Sequence, residues 1–144
     1  MAKSLTLEAA RLMLESALAH AREQAYKPMA VAVLDNRGSL RAFAAEDGTS
    51  LLRGEVALGK AFGAVALGVS SRQIHEMALE RPHFVSAVNT LAHGNLVPVP
   101  GGVLIRSDGG DIVGAVGISG DTSDHDEAAA QHGIAAAGFR PDPA

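Results

Sequence analysis

The chain has 144 residues, 47% of them hydrophobic and 19% charged, with a net charge of −4 at pH 7; this balance belongs to an ordinary globular protein with chain enough for one domain, residues 1–144. It has no Cys and no Trp, and only 3% of its residues are aromatic, which excludes a disulfide framework, a thiolate ligand and a cysteine nucleophile and leaves few platforms for stacking bases. No Lys/Arg cluster offers a face to nucleic acid, and the longest weakly charged run, "GAVALGVSS", is far too short to cross a membrane.

Near the N-terminus, Glu8, Arg11 and Glu15 break up any apolar segment of the secretory kind, so a cytoplasmic protein is expected. Leu7, Ala10, Leu14, Ala17, Ala21 and Ala25 recur at steps of three and four. That spacing predicts a first helix with Thr6 as its N-cap, Glu8 in its first turn and Pro28 enforcing its exit. The runs Met29–Asp35 and Ser39–Ala45 flank the turn signal "NRG" and predict a hairpin. Its first strand is almost wholly apolar, as a central strand covered on both faces would be.

A helical pattern returns from Ser50 to Leu67, with Gly54, Gly59 and Gly63 suited to tight helix packing. Two shorter helices follow, Ser71–Leu79 capped by Ser70 or Ser71, and His83–Ala92 after Pro82. Beyond the turn-rich "GNLVPVPGG", the runs "VLIRS" and "IVGAVGIS" surround "DGGD" and predict a second hairpin; a last helix runs from about Ser123 to Ala137 and stops at Gly138. Strands joined by tight turns are antiparallel, and their grouping between helices predicts an α+β sandwich rather than alternating βαβ units.

Gly114, Gly117 and Gly120 lead into the last helix but form no phosphate cradle. The spacing is wrong, no Lys follows, and Asp121, Asp124 and Asp126 crowd the helix start, where they would repel phosphate. Gly114 and Gly120 share one sheet face and Gly117 takes the other, so each is a place where a helix or a ligand comes close. Ser123 and Asp126 resemble a capping box, which accounts for most of the acids and leaves Asp126 and Glu127 open to other roles. No His/carboxylate pair stands at metal-ligand spacing on that helix, and no HExxH or Gly-x-Ser-x-Gly motif is present. Lys60, set among Ala, Gly, Leu, Val and Phe, either reaches solvent or pairs with a carboxylate or a ligand anion. Gly101 and Gly102 have amides that suit a ligand or a plain turn equally well.

"AVAVLDNRGSLRAFAAEDGT", "GKA", "VPGGVLI", "IVGAVGISG" and "DEAAAQHG", in that order, resemble the GlcG/HbpS-like family, also labelled a haem-degrading domain and found as the C-terminal domain of PduO-type proteins. The resemblance runs from about Thr6 to Ala137. The chain departs from the family pattern at Ala44–Glu46, at Phe62 and Gly63, and at Leu104. The resemblance implies a profilin-like or PAS-like sandwich, an antiparallel sheet of about five strands flanked by helices, in a homo-oligomer. It also implies a small-molecule ligand, with haem or a corrinoid as the tetrapyrrole candidate cofactor. On this reading Lys60 supplies a cation, Gly101 and Gly102 supply amides, Asp47 lies in a segment expected at the pocket, and Asp126 or Glu127 acts as acceptor or base. If the ligand is haem, His20 is the axial candidate, because a neutral imidazole suits iron and its helix face is apolar. The alternative is an enzyme in which Lys60 with Asp126 or Glu127 moves protons on a small keto or carboxylic acid.

Overall fold

The computed structural model describes residues 4–144. Helix α1 (Leu7–Glu23) begins as its cap residue predicts: the Thr6 hydroxyl accepts the Ala9 amide at 3.1 Å. Its fully buried stripe is Ala10, Met13, Ala17 and Ala21, and Leu14 packs partly buried against the same core. Ala25 lies beyond the helix in a left-handed turn, φ 57°, and belongs to the exit rather than to the stripe.

Strands β1 (Ala30–Asp35) and β2 (Leu40–Ala45) form the first hairpin, in antiparallel register from Ala30 opposite Ala45 to Leu34 opposite Leu40. Asp35 builds its turn, since one carboxylate oxygen accepts the amides of Arg37 and Ser39. Helix α2 (Arg53–Leu67) starts three residues later than the periodicity predicts and ends at Gly68, φ 71°. Helices α3 (Ser71–Glu80) and α4 (Pro82–Leu91) follow, capped by the Ser70 hydroxyl and started by Pro82 respectively. Strands β3 (Gly102–Arg106) and β4 (Ile112–Ser119) make the second hairpin, α5 spans Ser123–Ala136, and a short β5 (Arg140–Asp142) closes the order.

The sheet reads β2-β1-β4-β3-β5 and every pairing is antiparallel. The two hairpins meet at β1 and β4, which places β1 inside the sheet and buries all six of its residues. Alternation along the strands splits the core in two. Val31, Val33, Val116 and Ile118 pack with Met13, Ala17, Ala129 and Ile134 under α1 and α5. Ala32, Ala30 and Ala115 face the other way, under Ala57, Ala61 and Ala64 of α2. The result is an α+β sandwich with helices on both faces of an open five-stranded sheet.

Candidate functional site

Three residues in register, Ala32 on β1, Gly117 on β4 and Gly102 on β3, make a bare row across the sheet. A Cβ on Gly117 would stand 2.0 Å from the Ala57 carbonyl oxygen, and one on Gly102 would stand 2.3 Å from that of Lys60. Helix α2 therefore lies with its backbone directly on the strands. This close approach carries Lys60 to the end of β4, where a lysine on a more distant helix would fall short.

There the Lys60 ammonium donates to the Ile118 carbonyl at 2.9 Å and to Asp126 Oδ2 at 3.0 Å. Both side chains are out of water, at 2% and 1% exposure. Burial pushes Lys60 down and Asp126 up from their ordinary values, while each partner's charge pulls the other way. The second oxygen of Asp126 accepts the Asp121 amide at 2.9 Å. The pair ties α2, from one face of the sheet, to the first turn of α5, on the other.

Glu127 is buried beside it and turned elsewhere: it takes Arg72 Nε from α3 at 2.9 Å, while the Arg72 Nη2 reaches Asp124. These two carboxylates raise the Arg72 guanidinium above its ordinary value. The cap of α5 is Thr122, whose hydroxyl accepts the His125 amide at 3.1 Å, so the Ser123–Asp126 capping box does not form; Asp126 faces inward to Lys60 instead. Gly102 gives its amide to the buried Ser71 hydroxyl at 2.6 Å. Gly101, φ 128°, leaves the space that Lys60 Nζ fills. Asp47 is exposed, in a shallow cleft with Arg22, Pro28 and Glu46, away from this cluster.

His20 lies on the other side of the sheet, on α1. Its ring stacks on that of His132 from α5, with centroids 4.4 Å apart and planes 20° apart, and meets Tyr26 edge-on at 5.9 Å. Tyr26 in turn stacks on His125 at 4.2 Å. Burial first, then the neighbouring His132, lowers His20 below its ordinary value, with Glu23 opposing. Neither ring of the His20–His132 pair makes a hydrogen bond among the described residues. Asp121 anchors the far end of the row. It accepts the amides of Lys27 and Thr122 and bonds His125 Nδ1 at 2.8 Å, and those amides hold its carboxyl at about 2. Among the described residues no three His, Asp or Glu side chains gather to hold a metal ion.

A separate groove of about 460 Å³ opens on the α2 side, between the first hairpin turn, α2 and the loop at Asn95. Its lining is apolar apart from Glu55 and Asn95, and it includes no histidine, methionine or tyrosine. Sequence periodicity has no means of finding this groove, because its walls come from three separated segments. It likewise misses the row at Tyr26 and Asp121, although the i,i+4 spacing of Asp121 and His125 and the lone Tyr are visible signals once a fold brings them together.

Residues 5–135 match the family described as haem degrading protein HbpS-like. Among solved structures, the chain is similar to one described as a PduOC–haem complex, at 24% identity over 95% of this chain and 97% of that one, TM-score 0.84. It is similar to HbpS at 26% identity, over 94% and 91% of the two chains, TM-score 0.79. The Klebsiella pneumoniae protein ORFY is 22% identical over 96% and 93%, TM-score 0.85. No curated protein matches the sequence.

Proposed function

The chain belongs to the HbpS-like family of haem-degrading proteins, and on that premise we propose that it binds haem or a related tetrapyrrole through His20. The observation that carries this reading is the His20–His132 pair, two stacked imidazoles without hydrogen-bond partners among the described residues, with His20 lowered below its ordinary value by burial and by His132. A neutral imidazole nitrogen is what iron takes. The flat rings of Tyr26 and His132 beside it suit a flat macrocycle, and the solved haem complex of PduOC supports the ligand class. His20 would hold the iron while His132 and Tyr26 fix the orientation of its ring. Bound haem supplies an iron centre whose affinity and potential follow from its axial ligand and from the polarity around it.

Titrating haemin into the purified protein tests this. Wild type is expected to shift and sharpen the Soret band, with the change lost in His20→Ala and retained in His83→Ala on α4. Identical spectra in wild type and His20→Ala would remove the assignment.

Proton transfer by Lys60 with Asp126 or Glu127 finds less support. An acid or base must reach the substrate, whereas Lys60 and Asp126 are buried in each other and Glu127 is held by Arg72. We infer a homo-oligomer from Leu79 and Leu91, 71% and 80% exposed on α3 and α4, since large apolar side chains left in water mark contact surfaces.

A further inference from the structure

The groove on the α2 side belongs neither to the histidine row nor to the buried pair. Leu34 and Leu40 of the first hairpin and Leu52, Val56, Leu58 and Phe62 of the α2 segment form its walls. Two glycines shape it. A Cβ at Gly59 would meet Val97 Cγ2 at 2.4 Å, so helix and loop close tightly there. Gly38, φ 82°, turns the hairpin so that the Phe62 ring lies 3.6 Å from where a Cβ would stand.

Its volume, about 460 Å³, falls within the range of small-molecule pockets. Glu55 and Asn95 are exposed at its edge, and Glu55 is the one ionisable side chain among the described residues that line it. The Glu55 carboxylate forms no ion pair or hydrogen bond with any described residue. A carboxylate only accepts hydrogen bonds, so an apolar groove with this one charge at its rim selects a donor cation and repels acids. Glu55 also stands in the first turn of α2, where the helix dipole favours it; that role by itself predicts no ligand.

We propose that the groove binds a small amphipathic amine, its apolar body between Leu40, Val56 and Phe62 and its ammonium on Glu55, with the Asn95 carboxamide as a second acceptor. The site is independent of haem binding, because haem carries acidic side groups and the groove offers no iron ligand.

Three molecules with nearly the same body separate the alternatives: phenethylamine, phenylethanol and phenylpropanoate, each titrated while backbone amide NMR signals are followed. Saturable shifts are expected at Gly38, Gly59 and Gly94. The amine should bind about threefold tighter than the alcohol, as a solvent-exposed ion pair allows, and the acid should not bind. High salt should close the gap between amine and alcohol. Glu55→Gln should bring the amine to the alcohol's level while the body still binds. Val56→Trp should fill the groove and abolish both, and Leu40→Trp at the rim serves the same purpose should the first variant not fold. The proposal is overturned by equal binding of the acid, by an amine preference that survives Glu55→Gln, or by shifts that map elsewhere. An oligomer by sedimentation that Val56→Trp breaks apart, with no response to the amine, would place a second copy on the groove and overturn it too.

Discussion

A methyl group on Gly117 would stand 2.0 Å from the Ala57 carbonyl oxygen and 2.8 Å from the Ala61 amide nitrogen, both fixed parts of α2. Neither can give way without lifting the helix, so Gly117→Ala is expected to cost about 3 kcal/mol or more, the upper range of overpacking. Urea unfolding measures it, with Gly109→Ala as control, since a Cβ there meets only the Ser107 hydroxyl at 3.9 Å. Equal losses in the two variants would show that helix contact is not the cause. The sequence spacing puts Gly117 on the opposite sheet face from Gly114, but it does not show that Gly120 lies beyond β4, nor what approaches each glycine. The structure supplies the answer separately for each: α2 backbone at Gly117, the Leu34 carbonyl at Gly114, and the Pro28–Met29 backbone at Gly120. Lys60 is the parallel case. Its apolar neighbours in sequence leave it either reaching solvent or paired, and the partner that resolves the choice lies 66 positions away in the chain.

Among elements, the link from α2 to α5 through Lys60 and Asp126 crosses the end of the sheet and joins its two helical layers. Removing one member of a buried pair leaves an uncompensated charge, so Lys60→Met is expected to lower stability by about 3–5 kcal/mol. Asp126 also receives the Asp121 amide, and asparagine keeps that acceptor without the charge. The double variant Lys60→Met, Asp126→Asn should therefore recover most of the loss, and chemical denaturation of all four members of the cycle reads the coupling. Strictly additive losses would mean the two side chains act independently. The elements themselves were largely legible, since their signals are local: Thr6, Ser70 and Pro82 each begin a helix for the reason their chemistry suggests. Strand β5 was not, because a three-residue edge strand with Pro141 at its centre has no periodicity and exists only by pairing with β3. The start of α5 lies at Ser123 as the sequence predicts, but its cap is Thr122 rather than Ser123; both are competent caps, and the inward turn of Asp126 to Lys60 decides between them.

Over the whole molecule the sheet keeps two chemistries apart, a row of imidazoles on the α1 and α5 side and an apolar groove on the α2 side. On the histidine side two groups are shifted, and each answers acid in its own window. His20 is lowered from 6.5 by burial and by His132 of α5, against Glu23 of its own helix. The folded protein therefore refuses a proton that the unfolded chain accepts as pH falls through 6.5. Stability declines from there downward and levels off only below the folded-state value. Asp121 acts in a second, lower window. Its carboxyl titrates at about 2 when folded against 3.8 ordinarily, so the stability it contributes is complete above 3.8 and is lost as pH falls towards 2. Two separate losses are expected, and each has its own variant. His20→Asn should flatten the first without touching the second, and Asp121→Asn should shrink the second without touching the first; Asp35 shares the second, because against the upward push of burial the amides of Arg37 and Ser39 lower its carboxyl too. Asp121→Asn should also lower stability at neutral pH, where the amides of Lys27 and Thr122 lose a charged acceptor. Melting temperature followed from about pH 8 to about pH 2 resolves both steps. If His20 holds iron as proposed, the proton competes for its imidazole only once the folded protein takes it up, so haem affinity in wild type should hold as pH falls through 6.5 and weaken below the folded-state value. A first step that persists undiminished in His20→Asn would place the proton elsewhere in the molecule, and haem affinity that already weakens as pH falls through 6.5 would separate iron binding from His20.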